Sequence, residues 1–381
     1  MVDLNFLGVT DARELTEEGK RVVAKSFIPW GESIGSQTPA RAGLRSGIWT
    51  PPVYRPDAPA TFRIRGEIAA GLFAEQDVEI VCIGDSKTKG SSTGGGKQPE
   101  RSWPGVVRRA LGAVEGFIVA APANEDDRWN PTNMERGTDV NLDGLGTING
   151  ASPSVFSFTY SEAHTGGSFW IYSAAGATVT ITVDGGSGQS ISVPAGGSYR
   201  QITPTVSGNT SHTYALTTSG AIRVYGFRPT FSVARLKITN LGRPSSAATS
   251  WATGSGGAIG LWSGFRTVIS DPDVILCQHG TNGASGGGIP ELFAQIVGVT
   301  DLAVVIAPGG IGTTPDTQFG PMYLAVWDQA DLHNLPLVDN ATVLGNSDEA
   351  TARGLMADTV HENRRGQAWV ASAILHLLDV T

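Results

Sequence analysis

The sequence predicts an α/β protein whose parallel sheet is interrupted by an all-β insertion. Three observations carry this. Short continuous apolar runs rich in β-branched residues, the pattern of strands buried on both faces, occur near residue 80 and again after residue 235. Helical patterns alternate with the later runs, as a parallel sheet requires. Between about 121 and 234 the texture changes to short alternating segments separated by glycine clusters. The composition fits a folded, loop-rich chain. Glycine takes 50 of the 381 positions and charged residues only 16%. Even with 21 prolines, Gly and Pro together stay short of the roughly 25–30% that marks a disordered chain.

Residues 1–75 read as an N-terminal extension, an attachment or oligomerisation arm. Within it Asp11 to Lys25 is a short helix, and the Pro-rich stretch from Thr50 to Gly66 is extended. Val78 to Ile83 is the first buried strand of an α/β segment spanning 76–120. It stops at Gly84-Asp85-Ser86, and a Gly- and Ser-rich loop leads to a helix over Trp103 to Leu111. In the insertion, 121–234, Val179, Ile181 and Val183 alternate with Thr178, Thr180 and Thr182. Asp184-Gly185-Gly186 then supplies hairpin-turn chemistry. Further strands near 155–160, 168–173, 189–193, 199–206, 211–217 and 221–227 make a β-sandwich. The α/β style resumes over 235–381. Strands fall at Arg235 to Asn240, Asp273 to Gln278, Leu302 to Ala307 and Leu335 to Asp339. A helix lies over Phe319 to His333. Ala368, Ala371, Ile374, Leu375 and Leu378 give an amphipathic C-terminal helix over Asn363 to Leu378.

Several function classes are excluded at this level. The net charge of −8 lacks the basic footprint a nucleic-acid binder needs. Two cysteines, Cys82 and Cys277, make no disulfide framework and read as buried free thiols. No apolar run reaches the ~18 residues of a membrane span, and the N-terminus has no signal-peptide core. A soluble protein made without an ordinary secretion signal is expected, cytoplasmic unless carried on a virion. No cluster has metal-ligand spacing and no nucleotide fingerprint is present, so no metal and no cofactor are expected.

Four stretches fall at or just after predicted strand ends, where open parallel sheets place their sites. They are Gly84-Asp85-Ser86, Asn240-Leu241-Gly242, Gly280-Thr281-Asn282-Gly283 and Asp358-Thr359-Val360-His361. In this order and setting they resemble the SGNH (GDSL-type) hydrolase family, over about residues 76–120 and 235–381. The resemblance implies a flavodoxin-like parallel sheet, here carrying an inserted jelly-roll-like sandwich, and a serine-dependent carboxylic ester hydrolase. The family's third motif has Asp after the Asn, where this chain has Gly283.

The residues themselves fit that chemistry. An esterase needs a nucleophile, a base, a group that orients the base, and donors for the oxyanion. Alone, Ser86 is an ordinary loop or cap serine. On a strand-to-helix turn, with the other motifs, it is the candidate nucleophile. Of six histidines, His361 follows Asp358 by three residues, a spacing that lets the carboxylate reach Nδ1 while Nε2 faces a serine. His279 is the rival base. The Ser86 and Gly242 backbone N–H groups and the Asn282 amide are the candidate oxyanion hole, although Gly242 and Asn282 are also common turn residues.

The insertion carries Trp170, Tyr172, Tyr199, Tyr214, Tyr225 and Phe227 as candidates for stacking on sugar rings, most of them expected in the core. The leading expectation is an esterase that removes O-acyl groups, acetyl first, from a cell-surface polysaccharide or glycolipid. The layout also resembles tail or virion proteins of actinobacterial phages. That implies an alternative, a receptor-binding or structural tail protein with a weakly active or vestigial hydrolase fold. Homo-oligomerisation and virion assembly both stay open.

Overall fold

The computed structural model describes residues 53–54, 58–136, 145–147, 155–196, 199–252, 261–282, 287–309, 316–344 and 347–378. The helix expected over Asp11 to Lys25 lies outside them. A seven-stranded sheet forms the α/β body. Its order is Val53–Tyr54, Leu337–Asp339, Ala303–Ala307, Val274–Gln278, Val78–Gly84, Leu236–Asn240 and Val114–Glu115. All neighbours pair in parallel except Val53–Tyr54, which runs antiparallel on Leu337–Asp339. The five main parallel strands, numbered along the chain, stand in the order 2-1-3-4-5, the flavodoxin-like arrangement.

The central strand Val78–Gly84 is buried at every position. Its alternate side chains feed two cores. Val78, Ile80 and Cys82 point to one face with Ile64, Ile68, Trp103, Val107, Val370 and Ile374. Val81 and Ile83 point to the other with Trp251, Phe265, Leu292, Phe293 and Val326. Cys82 and Cys277 belong to opposite faces and both are buried free thiols. The expected helices and parallel strands are present, with ends shifted by a few residues.

The N-terminal extension departs from expectation. Pro59–Leu72 is a 14-residue helix, not an extended piece. Pro59 occupies its first turn, where a missing N–H costs nothing and the fixed φ favours the helix. Ile64 and Ile68, one turn apart, bury against the sheet. With the edge strand Val53–Tyr54, this part of the extension is built into the α/β body.

The insertion is a sandwich of two antiparallel sheets. One has the order Gln189–Val193, Ala177–Val183, Thr210–Thr218, Val155–His164, Trp129–Thr132; the other Arg200–Ile202, Gly166–Tyr172, Arg223–Thr230, Leu145–Thr147, Met134–Arg136. Ile118–Val119 joins the second sheet on Arg223–Thr230. Val179 and Ile181 are buried while Thr180 hydrogen-bonds Ser190 on the outer face, as the alternation requires. Asp184 and Gly185 take positive φ at the turn. The core is aromatic. Trp129 lies 4.2 Å from Phe158 between ring centroids, and Phe156, Phe169, Tyr214 and Phe227 surround them.

The sandwich is welded to the α/β body. Trp170, Tyr172 and Tyr199 pack against the face that holds Leu241, Trp251 and Phe265. Tyr225 is buried in that same cluster, and Tyr214 and Phe227 in the sandwich core. So none of the six aromatics considered for sugar stacking is an exposed platform. Arg228 of the sandwich pairs with Glu79, the one charged residue of the central strand, whose other oxygen accepts from Thr239 Oγ1 at 2.8 Å.

Gly84 ends the central strand where the chains crowd. A Cβ there would lie 2.0 Å from Thr88 Oγ1 and 2.5 Å from the Gln278 carbonyl oxygen. Gly84→Ala is expected to lower stability by about 1–3 kcal/mol, the usual cost of overpacking. A reduced midpoint in urea unfolding checks this.

Candidate active site

Ser86 is the first residue of the short helix Ser86–Lys89 at the C-terminal end of the central strand. Asp85 caps that helix by accepting the Lys87 N–H at 2.9 Å. Gly90, left-handed at φ 80°, terminates it. The next strand in the sheet on one side, Val274–Gln278, leads into Thr281 and Asn282. The strand on the other side, Leu236–Asn240, leads into Gly242. The site thus stands at the topological switch point of the sheet.

His361 reaches this point from a loop before the C-terminal helix Arg364–Leu377. Its Nε2 lies 2.9 Å from Ser86 Oγ, and its Nδ1 lies 2.9 Å from Asp358 Oδ2. Asp358 Oδ1 accepts the backbone N–H groups of Val360 and His361, each at 2.7 Å. Burial alone would raise the Asp358 carboxyl. The hydrogen bonds from the His361 backbone and ring and from Val360 outweigh it and hold the pKa at about 2. The three-residue spacing has a plain reason: the carboxylate wraps its own tight turn and meets the ring. Asn363 then caps the helix, accepting from Arg365 and Gly366. The serine, histidine and aspartate named from the sequence are therefore brought together in hydrogen-bonded order.

His279 is not in that chain. It is 1% exposed, lies edge-on to Trp251, and neither ring nitrogen has a hydrogen-bond partner. Burial pushes its pKa down to about 3. It is a neutral core histidine, and its candidacy as base falls.

The oxyanion donors are met in part. The Ser86 N–H opens a helix and has no intrahelical acceptor by position. Asn282 uses one amide hydrogen on the Ser246 carbonyl at 3.1 Å, which leaves its second N–H. Gly242 differs from expectation. Its backbone touches the Thr88–Lys89 peptide, where a Cβ would lie 2.2 Å from the Lys89 nitrogen. Its N–H donates to the Asn240 side-chain oxygen at 2.9 Å. Asn240 is held in turn by donating to Thr88 O and Ser102 Oγ, at 3.0 and 3.1 Å. In this conformation Gly242 is a packing glycine with a committed donor.

Sequence reasoning passed over the residues beneath the site. Lys87 Nζ lies 2.7 Å from Glu362 Oε1, and both side chains are 0% exposed. Gln367 donates to the Lys87 carbonyl and to Glu362 Oε2 and accepts the Trp103 N–H. Gln278 accepts from Thr88 Oγ1 and Trp103 Nε1. The available signal was a lysine directly after the serine and a glutamate directly after the histidine. Asp85 adds a third buried charge. Desolvation lifts its pKa to about 6, opposed chiefly by the Lys87 N–H and the Lys87 charge, and assisted by the Glu362 charge. Among the described residues no group of three or more His, Cys, Asp or Glu side chains is placed to hold a metal ion, and no helix is long and apolar enough to cross a membrane.

No protein-family model matches the chain, and no curated protein is similar to it in sequence. Solved structures are similar in fold. One, described as a peptidoglycan O-acetylesterase in action, superposes with a TM-score of 0.59 at 13% identity, covering 86% of this chain and 98% of that one. A lipolytic-type protein of the G-D-S-L family from Desulfitobacterium hafniense gives 0.37 at 12% identity, covering 79% and 99%. A family two carbohydrate esterase from Clostridium thermocellum, in complex with cellohexaose, gives 0.29 at 14% identity, covering 68% and 97%. The first shares this chain's fold, and its 86% coverage cannot be reached without part of the sandwich. The α/β body has the doubly wound parallel fold expected from the sequence, with the first three motifs at or just after strand ends and the fourth on the loop before the C-terminal helix.

The Asp85 carboxyl gives a pH prediction. An acid whose folded pKa is raised, here from 3.8 to about 6, contributes full stability below the unfolded value. That contribution is lost as pH rises through about 6, up to about 3 kcal/mol in all. Asp85→Asn removes the ionisation. Its stability relative to the parent should therefore be higher at pH 7.5 than at pH 4. Denaturant unfolding of both chains at the two pH values measures the difference, and His279, present in both, cancels.

Proposed function

We propose that the chain is a serine esterase that removes O-acyl groups, acetyl first among them, from a cell-envelope polysaccharide. The observation that carries this reading is the unbroken hydrogen-bonded path from Ser86 through His361 to Asp358. Ser86 Oγ attacks the ester carbonyl while His361 Nε2 takes its proton. Asp358, kept ionised, holds Nδ1–H and so fixes the tautomer that leaves Nε2 free to accept. The Ser86 N–H and the free Asn282 N–H stabilise the oxyanion. The Gly242 N–H can join them only by turning from Asn240. The proton on His361 passes to the departing sugar hydroxyl. Water, activated by the same imidazole, then hydrolyses the acyl-enzyme to the free acid.

The glycan part of the reading is supported by the likeness to a peptidoglycan O-acetylesterase. O-acetylated peptidoglycan is accordingly the first polymer to assay. The sandwich serves this site as a support. Its aromatics brace the Ala248–Ala252 and Leu261–Val268 helices, which follow Gly242.

Purified protein should release acetate from O-acetylated peptidoglycan and hydrolyse aryl acetates. Ser86→Ala should lower kcat by roughly 10⁴–10⁶ without loss of fold, because triad members act as a unit. A serine-directed organophosphonate should label Ser86. Label at another residue, or full activity in Ser86→Ala, overturns the assignment.

Asn282→Ala should lower kcat about 10²–10³-fold with KM nearly unchanged, as read in steady-state kinetics on an aryl acetate. A change in KM alone would make Asn282 a ground-state binding residue.

A further inference from the structure

We infer that the buried Lys87–Glu362 ion pair is a positioning device that sets the distance between Ser86 and His361. This rests on the esterase reading. The two catalytic side chains are 275 residues apart in sequence, and their proton transfer needs hydrogen-bond contact. Three side-chain pairs join the nucleophile segment 84–93 to the loop 354–363. One is Ser86–His361 itself. The second, Ser92 Oγ to Asp358 Oδ2 at 3.3 Å, is exposed. The third, Lys87–Glu362, is wholly buried and short.

Its members are the immediate neighbours of the catalytic pair, so any displacement of one pair moves the other. The tie is braced from both ends. Gln367 spans from the Lys87 carbonyl to Glu362 Oε2 and is itself anchored on the Trp103 N–H. Glu362 pairs with Met356 across the loop. Gly366 lets the C-terminal helix close on this turn, since a Cβ there would lie 2.3 Å from Leu355 O and 2.8 Å from Glu362 Cβ. A buried ion pair usually adds little net stability over apolar residues of the same size. Its use here is geometric: it admits one separation of the two segments, where an apolar contact admits a range.

The test is the double variant Lys87→Met/Glu362→Gln, which removes both charges and keeps volume. It should fold with a thermal midpoint near that of the wild type. On an aryl acetate kcat should fall 10–100-fold with KM within threefold, in line with the cost of misplacing a catalytic group by about 1 Å. The rate of organophosphonate labelling at Ser86 should fall by the same factor. Glu362→Asp keeps the charge and shortens the reach, so it should show the same kcat loss. Wild-type kcat in the double variant, or a loss confined to KM, overturns the inference. If the double variant does not fold, Glu362→Asp decides by the same readouts. The crystal structure of the folded variant separates this inference from the esterase reading. A Ser86–His361 separation unchanged from 2.9 Å overturns the positioning role, whatever the turnover. A wild type inert to esters and to the phosphonate overturns the esterase reading, and a lengthened separation in the variant still supports the tie.

Discussion

The site is registered against one residue, Gly84. The central strand pairs on both sides, and at its last position Gly84 lies opposite Gln278. Its carbonyl accepts the Arg243 N–H at 2.9 Å and the Ser246 hydroxyl at 3.3 Å. Ser246 in turn offers its own carbonyl to Asn282. The Ser86 turn, the Gly242 turn and the Asn282 turn therefore meet at a single peptide with no room for a side chain. A glycine before the acid and the serine is a steric requirement of this meeting point. The fourth segment, carrying Asp358 and His361, arrives from the far end of the chain and has no backbone hydrogen bond to that peptide. It has to be held by side chains.

Charge beneath the site supplies that hold at some cost. Asp85, Lys87 and Glu362 are all essentially inaccessible to water. Desolvating each costs several kcal/mol before pairing offsets it, and removing one partner of such a pair typically costs about 3–5 kcal/mol. Asp85 is the least compensated, since its Oδ2 has no hydrogen-bond partner, and its raised pKa records that. The same device recurs at the sandwich junction. There Arg128 pairs with Glu115 and Asp126 and Arg228 with Glu79. A weakly charged chain places several of its charges where they fasten one segment to another.

The α/β body was legible because strands buried on both faces are continuous apolar runs, and Val78–Gly84, Val274–Gln278 and Ala303–Ala307 are such runs. The sandwich was legible from period-two alternation and from Asp184-Gly185, whose positive φ the turn demands. The meeting of Ser86, His361 and Asp358 was legible because Asp358 and His361 are local to one another and Ser86 follows the end of a strand. What escaped was long-range or conditional. Pro59 reads as a breaker unless it is known to start a helix. Val53–Tyr54 is too short to carry a period. The pairing of Lys87 with Glu362 is invisible until the fold closes a gap of 275 residues. The commitment of the Gly242 N–H to Asn240 is a side-chain choice that no spacing announces. Glu79 was a signal available but unused, since a carboxylate inside a buried strand requires a partner, and Arg228 meets it.

The position of the sandwich follows from the same reasoning. An insertion joined only by its two ends would leave the sheet face beside Leu241 and Trp251 in water. Here Trp170, Tyr172, Tyr199 and Tyr225 cover that face, and Glu79 has its charge partner in the insertion. Four of the six aromatic residues that make the segment look like a sugar-binding module are used to seal a junction, and the other two fill the sandwich core. Sealing it places a rigid wall behind the helices that follow Gly242. The insertion therefore bears on the candidate site through the stiffness of its surroundings.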